Sequence, residues 1–146
     1  MKKGYLYVLA QVVLTIAVAI GPYFHERNGS TFIGKTLITL GLIIVLVSLR
    51  YLGKSITPSP YPKESGELIT DGIYAYFRHP IYSGLFLIAS GYTVYFGSIF
   101  SAIATIFLVY VLYKKSVYEE KLLKEKFGSK YEKYCEKVKR FIPKIF

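Results

Sequence analysis

The chain has 146 residues, enough for one domain, and 53% of them are hydrophobic, yet its formal net charge is +10. The mean hydropathy is +0.37, and apolar stretches and cations are segregated along the chain, which argues against a soluble domain and for an integral membrane protein with a basic cytosolic face. A single cysteine, Cys135, excludes an intrachain disulfide and a cysteine-based metal site, and no metal is expected.

The first element is an apolar run, 5–24, matching the ~20 residues that cross a bilayer. Lys2 and Lys3 before it resemble the start of a signal peptide, but no small-residue cleavage site follows, so a retained span is expected. A polar turn, 25–31, leads to a second span, 32–52, whose Lys35 and Arg50 must snorkel to opposite interfaces. A long loop follows, in which Pro58, Pro60 and Pro62 alternate and favour an extended path. Thr70-Asp71-Gly72 reads as a turn.

From Pro80 to Tyr113 the chain carries no charge for 34 residues. One helix of that length would measure roughly 50 Å, against a hydrocarbon core of about 30 Å. Gly97-Ser98 offers a break, so the spacing predicts a tight hairpin of two helices, about 81–96 and 98–113. Four spans put the N-terminus, the 54–80 loop and the tail on one side, with Lys2, Lys3, Arg50, Lys54, Lys63 and Arg78. The opposite side holds only Arg27 and Lys35 among the cations, a positive-inside pattern with both termini cytoplasmic.

The tail, 114–146, holds eleven Lys/Arg and five Glu. Within it Leu123, Phe127, Tyr131, Tyr134, Val138 and Phe141 recur at helical spacing. Gly128 is expected to divide this stripe into two helices, with Ser129 and Glu132 forming a capping box on the second. The expected fold is therefore all-α: a single membrane domain over 1–146, comprising two N-terminal spans (1–53), a cytosolic loop (54–80), a helical hairpin (81–113) and a basic amphipathic cap (114–146).

Three polar groups converge on the cytosolic side. Arg78-His79-Pro80 stops at a proline suited to the first turn of a helix, so the helix start with Arg78 and His79 can hold an anion. By composition alone, an interfacial anchor is the commoner use of such residues. Glu119 and Glu120 follow the last apolar run, and Glu120 shares the apolar stripe with Leu123 and Phe127, which favours it as the pocket-facing carboxylate. Such a carboxylate suits ribose hydroxyls or an ammonium. Arg140 is the tail's only arginine, a planar fork fitted to a carboxylate or phosphate.

The ordered set Gly72-Ile-Tyr-Ala-Tyr-Phe-Arg-His-Pro-Ile-Tyr-Ser-Gly84, Tyr118-Glu-Glu120, Phe127-Gly-x-x-Tyr131-x-x-Tyr134 and Arg140-Phe-Ile-Pro143 resembles the isoprenylcysteine carboxyl methyltransferases. Phospholipid N-methyltransferases look related through the Arg-His-Pro and Glu-Glu elements, and the 53–63 run looks like short prokaryotic members, implying a prokaryotic plasma membrane. The resemblance implies S-adenosylmethionine as cofactor, with Tyr74, Arg78, His79, Pro80, Tyr82 and Gly84 contacting or shaping its site. Glu119 or Glu120 would face it, and Tyr131 and Tyr134, with Tyr74, offer aromatic faces. Arg140, with the two glutamates, would serve the transfer to a lipophilic acceptor entering from the bilayer, with O-methylation expected over N-methylation. Competing readings are a sterol-reductase-like membrane enzyme using NADPH, and a non-enzymatic bundle whose basic tail binds lipid or an acidic partner. Nucleic acid is not an expected partner, since the lysines alternate with glutamates.

Overall fold

The computed structural model describes residues 2–24, 29–53, 61–62 and 66–141. The expectations for 25–28, for Pro58 and Pro60, and for most of the 53–63 run lie outside the described residues, as do Ile142 and Pro143. Among the described residues five α-helices follow one another: α1 (Lys2–Ile20), α2 (Thr31–Leu52), α3 (Pro80–Phe96), α4 (Ile99–Phe127) and α5 (Ser129–Lys137). Short 3-10 turns occupy Gly21–Phe24 and Gly72–Ala75.

Three helices, α1, α2 and α4, are long and apolar enough to cross a membrane, while α3 has 17 residues. α2 lies along α3 and α1 along α4. The seams are made of small residues, as expected where lipid removes any hydrophobic drive between helices. Gly41 on α2 and Gly84 on α3 meet backbone to backbone, and Gly91 meets Gly34. Between α1 and α4 the Ser101 hydroxyl donates to the Val18 carbonyl at 2.8 Å. The core is small, with Val18, Ala89, Ala104, Leu108 and Leu112 buried. Leu6, Leu9, Leu46, Ile106 and Phe107 face outward, the polarity of a bundle whose solvent is hydrocarbon.

The predicted break is present. Gly97 closes α3 in the left-handed region (φ 62°), where a side chain would be strained, and Ser98 caps α4 by accepting from the Ser101 N–H at 3.2 Å. The second arm differs from the expected 98–113. It runs unbroken for 29 residues to Phe127, because the charged stretch after Tyr113 is rich in Lys, Glu and Leu and contains no Gly or Pro. The chain turns only at Gly128 (φ 53°).

The expected capping box does not form. Ser129 is already helical, Gly128 occupies the cap position, and no side chain caps α5. The sharp turn lays α5 back on α4, so Glu132 pairs with Lys124 at 2.7 Å instead. The apolar stripe survives this change: Tyr131, Tyr134 and Val138 are buried against Leu68, Leu123 and Phe127.

One end of the bundle gathers the start of α1, residue 61 and the charged half of α4. The Gly4 N–H donates to the Tyr61 hydroxyl, which lies 3.2 Å from the Tyr118 hydroxyl. The opposite end gathers Ser30, whose N–H donates to Val94 O at 3.0 Å. This arrangement leaves the polar groups at one mouth of the bundle.

Candidate functional site

Pro80 is the first residue of α3, where its missing N–H costs nothing, and it is fully buried. The two residues before it do not hang free at an interface. The Arg78 N–H donates to Lys139 O at 2.8 Å and the His79 N–H to Arg140 O at 3.0 Å. Phe77 and Lys139 form a parallel bridge, and the Ser83 hydroxyl donates to Phe141 O at 3.0 Å. The tail thus returns across the start of α3 and is fastened by its backbone. A hydrogen bond from the Tyr134 hydroxyl to the Tyr74 carbonyl fastens α5 to the same loop.

Around that strap the predicted residues converge on Glu120. Arg140 grips it with two prongs, Nε to Oε1 at 2.9 Å and Nη2 to Oε2 at 2.7 Å. His79 Nε2 lies 3.0 Å from Oε1; an ionised carboxylate only accepts, so Nε2 carries the proton. Arg78 Nη2 adds a contact at 3.4 Å. Glu120 stands seven residues past the apolar stretch of α4, outside the spanning segment. Burial alone would raise its carboxyl; the bonds from His79 and Arg140 and the charge of Arg78 outweigh burial and bring it down to about 2. The same pair works on the other partner, since the bond to Glu120 raises the Arg140 guanidinium.

Glu119 faces elsewhere. It accepts from the Tyr82 hydroxyl at 2.8 Å and lines a cavity of about 460 Å³, within the range of small-molecule sites. Adjacent helical residues diverge by about 100°, so the two carboxylates reach His79 from different sides, Glu119 Oε2 3.8 Å from Nδ1 and Glu120 Oε1 3.0 Å from Nε2, and otherwise meet different neighbours. The sequence had favoured Glu120 as the one facing the pocket; the structure brings Glu119 to the cavity wall and sets Glu120 behind it, among the cations. The His79 ring stacks on Tyr82, with centroids 5.4 Å apart and planes 3° from parallel.

Of the other expected residues, Tyr74, Arg78, His79, Pro80, Tyr82, Tyr131 and Tyr134 also line the cavity. Burial pushes the hydroxyls of Tyr74, Tyr131 and Tyr134 up, so they remain neutral at physiological pH. Gly84 is not on the wall. It is buried in the α2–α3 seam against Gly41 and Val45, and shapes the site by letting those helices close. Arg140, expected at an acceptor, is committed to Glu120 and lies over the Tyr113 ring at 5.5 Å.

The cavity has a second, apolar half. Val8 and Val12 of α1, Leu49 and Leu52 of α2, and Leu85 of α3 are among its wall residues. Two polar residues there went unnoticed in the sequence, Gln11 and Lys115. Gln11 is the lone amide in an otherwise apolar span, and Lys115 is one helical turn before Glu119; both signals were legible.

S-adenosylmethionine fits the donor set as a chemical class. Arg78 Nε is buried without a hydrogen-bond partner among the described residues, a donor suited to an anionic oxygen. Glu119 suits hydroxyls or an ammonium, and the tyrosine faces suit an adenine or a sulfonium cation. Among the described residues no group of three or more His, Cys, Asp or Glu is arranged to hold a metal ion.

The chain is similar over most of its length to known proteins. The phospholipid methyltransferase family model matches residues 30–130. A probable protein-S-isoprenylcysteine O-methyltransferase of rice (Oryza sativa subsp. indica) is 30% identical over 127 residues, 85% of this chain and 66% of that protein. Protein-S-isoprenylcysteine O-methyltransferase B of Arabidopsis thaliana is 34% identical over 113 residues, 75% of this chain and 57% of the relative. The solved eukaryotic intramembrane Ras methyltransferase ICMT superposes on 96% of the chain with a TM-score of 0.72 at 24% identity, and the chain covers 53% of it, a likeness of fold. The chain therefore spans between about half and two thirds of these relatives. With 101 consecutive positions matched, the chain belongs to the phospholipid methyltransferase family.

Proposed function

We propose that this protein is an S-adenosylmethionine-dependent methyltransferase that methylates a carboxylate oxygen on a lipid-borne, isoprenylcysteine-like acceptor at the cytosolic membrane interface. The observation that carries this reading is the two-part cavity. A polar half, built by Arg78, His79, Tyr82 and Glu119, is continuous with an apolar half walled by α1 and α2. One end suits a charged, water-soluble reagent and the other a hydrocarbon tail, so the two reactants meet without either leaving its own solvent. The names of the relatives support the acceptor class.

S-adenosylmethionine, when bound, supplies an electrophilic methyl group on a sulfonium. The chain's own residues then have mainly to bind, orient and exclude water. Arg78 and the tyrosines hold one end of the cavity, and Glu119, held by Tyr82, offers a fixed carboxylate. Glu120 acts on Arg78, His79 and Arg140 rather than on a ligand, and keeps these groups in register. A carboxylate acceptor is already ionised near neutral pH and asks for no general base.

The test is incubation of the purified chain with methyl-tritiated cofactor and N-acetyl-S-farnesylcysteine. Labelled product that releases volatile methanol in alkali is expected, as an ester should. Label that survives alkali would mean transfer to an atom other than the carboxylate oxygen and overturn the acceptor class. No transfer to this acid or to a whole-membrane lipid extract would overturn the methyltransferase reading.

A further inference from the structure

With Arg140 engaged by Glu120, a different cation is left to meet an acidic acceptor. Lys115 is 5% exposed, and its side chain lies on the cavity wall. Its Nζ donates to Gln11 Oε1 at 2.8 Å, across from α4 to α1. It also sits 5.2 Å from the centroid of the Tyr82 ring. Both partners are neutral. Among the described residues no carboxylate lies within ion-pair distance of this ammonium; Glu119, four residues on, favours its charge through space but is hydrogen-bonded to Tyr82.

A buried ammonium without an anionic partner is expensive, and an amide and a ring face offset only part of that cost. Elsewhere in the site Arg78, His79 and Arg140 share the carboxylate of Glu120, while Lys126, the wall's other lysine, is exposed and donates to the Gly66 carbonyl at 3.0 Å. Lys115 is the buried lysine of the wall, set with neutral contacts between Gln11 on one side and the Tyr82 ring on the other. That is the seam between the apolar and polar halves, where the head of a lipid-borne molecule arrives. The position answers a specific need: the missing anion has to come with the ligand.

The geometry points to Lys115, seated by Gln11, as the group that binds the anionic head of the methyl acceptor and makes the site selective for acids over neutral lipids. This inference rests on the methyltransferase reading for its name of the ligand, and on the Lys115–Gln11 contact for its chemistry. An acceptor carboxylate would complete the ion pair that the fold leaves open, while the tail lies along Val8, Val12 and Leu49. Arg140 is then a positioning residue that acts through Glu120.

The test is binding to the full chain in lipid nanodiscs, without cofactor, of N-acetyl-S-farnesylcysteine and of its uncharged amide. The wild type should prefer the acid by about tenfold or more, as charge-assisted hydrogen bonds do. Lys115→Met should bring acid and amide within about twofold, and Lys115→Arg should restore most of the preference. Gln11→Glu, which supplies an internal carboxylate and relieves the buried charge, should also abolish the preference and guards against a misfolded Lys115→Met. Equal binding of acid and amide by the wild type, or a preference that survives both Lys115→Met and Gln11→Glu, overturns the inference. S-adenosylhomocysteine affinity separates the two readings. If it is lost in Lys115→Met while the acid preference persists, Lys115 serves the cofactor and the inference fails. If the wild type prefers the acid but binds no S-adenosylhomocysteine, the methyltransferase reading fails and the anion grip stands.

Discussion

Glu120 is the residue on which the site turns, because one carboxylate answers Arg78, His79 and Arg140 together. Removing its charge strands two guanidiniums, so Glu120→Gln should cost about 3 kcal/mol of stability, read as a lower thermal midpoint in detergent. The sign of its pH dependence follows from a carboxyl lowered from 4.5 to about 2. A depressed carboxyl stabilises fully above its ordinary value and loses that contribution as pH falls through its folded one. The wild-type midpoint should therefore keep the full Glu120 contribution unchanged between pH 5 and 8, and fall between pH 4.5 and 2 more steeply than in Glu120→Gln. Arg140→Lys replaces a two-pronged grip with a single point charge. It should weaken S-adenosylhomocysteine binding by about tenfold while changing the acceptor KM by less than about twofold. A selective rise in acceptor KM would instead return Arg140 to the acceptor.

At the level of elements, the hairpin was readable because its signal is local. Gly97 must adopt a positive φ, Ser98 is a good cap, and 34 uncharged residues are too many for one span. The failed capping box was also a local signal, and it lost to a tertiary one. Once Gly128 turns the chain back on α4, Lys124 competes for Glu132 and wins an ion pair at 2.7 Å. The seam between α2 and α3 had no sequence signature beyond its small residues. Gly84 looked like a cofactor residue by its place in the motif, yet a Cβ there would press on Val45 and the Gly41 carbonyl. Gly84→Leu should force the helices apart at a cost of about 1–3 kcal/mol, seen as a lower midpoint. Loss of cofactor-product binding should follow only as far as the fold is lost, which a binding curve on the folded fraction would separate.

For the molecule as a whole, charge parity and the contacts at the two ends agree. The start of α1 and the charged half of α4 meet through Tyr61 and Tyr118, while Ser30 meets Val94 at the far end. In a Cys135→Ser background, cysteines placed at Lys3 and Lys121 should react with an impermeant reagent from the cytosolic side. One at Thr31, exposed at the start of α2, should react only from the opposite side. Labelling of Lys3 and Lys121 positions from opposite faces would mean an odd number of crossings and would dismantle the site topology.

Much of this was in the amino-acid order. Apolar length, the proline and glycine punctuation and the asymmetry of lysine and arginine determine a helical membrane bundle with one basic mouth, because each follows from local chemistry and the thickness of a bilayer. Many of the residues that gather at the cavity were legible too, as an ordered motif, though Gln11 and Lys115 lay outside it. Their division of labour was not. Which of two adjacent carboxylates meets the cavity depends on how α4 is rotated against α3, and about 100° separates one from the other. Whether Arg140 is free or bound depends on where the tail returns, and that return is made by backbone hydrogen bonds from residues 78–79 to 139–140, which carry no side-chain signature. Only the packed structure brings Gln11 to Lys115 across 104 positions of chain, and so reveals a cation whose counter-charge has to arrive with the ligand.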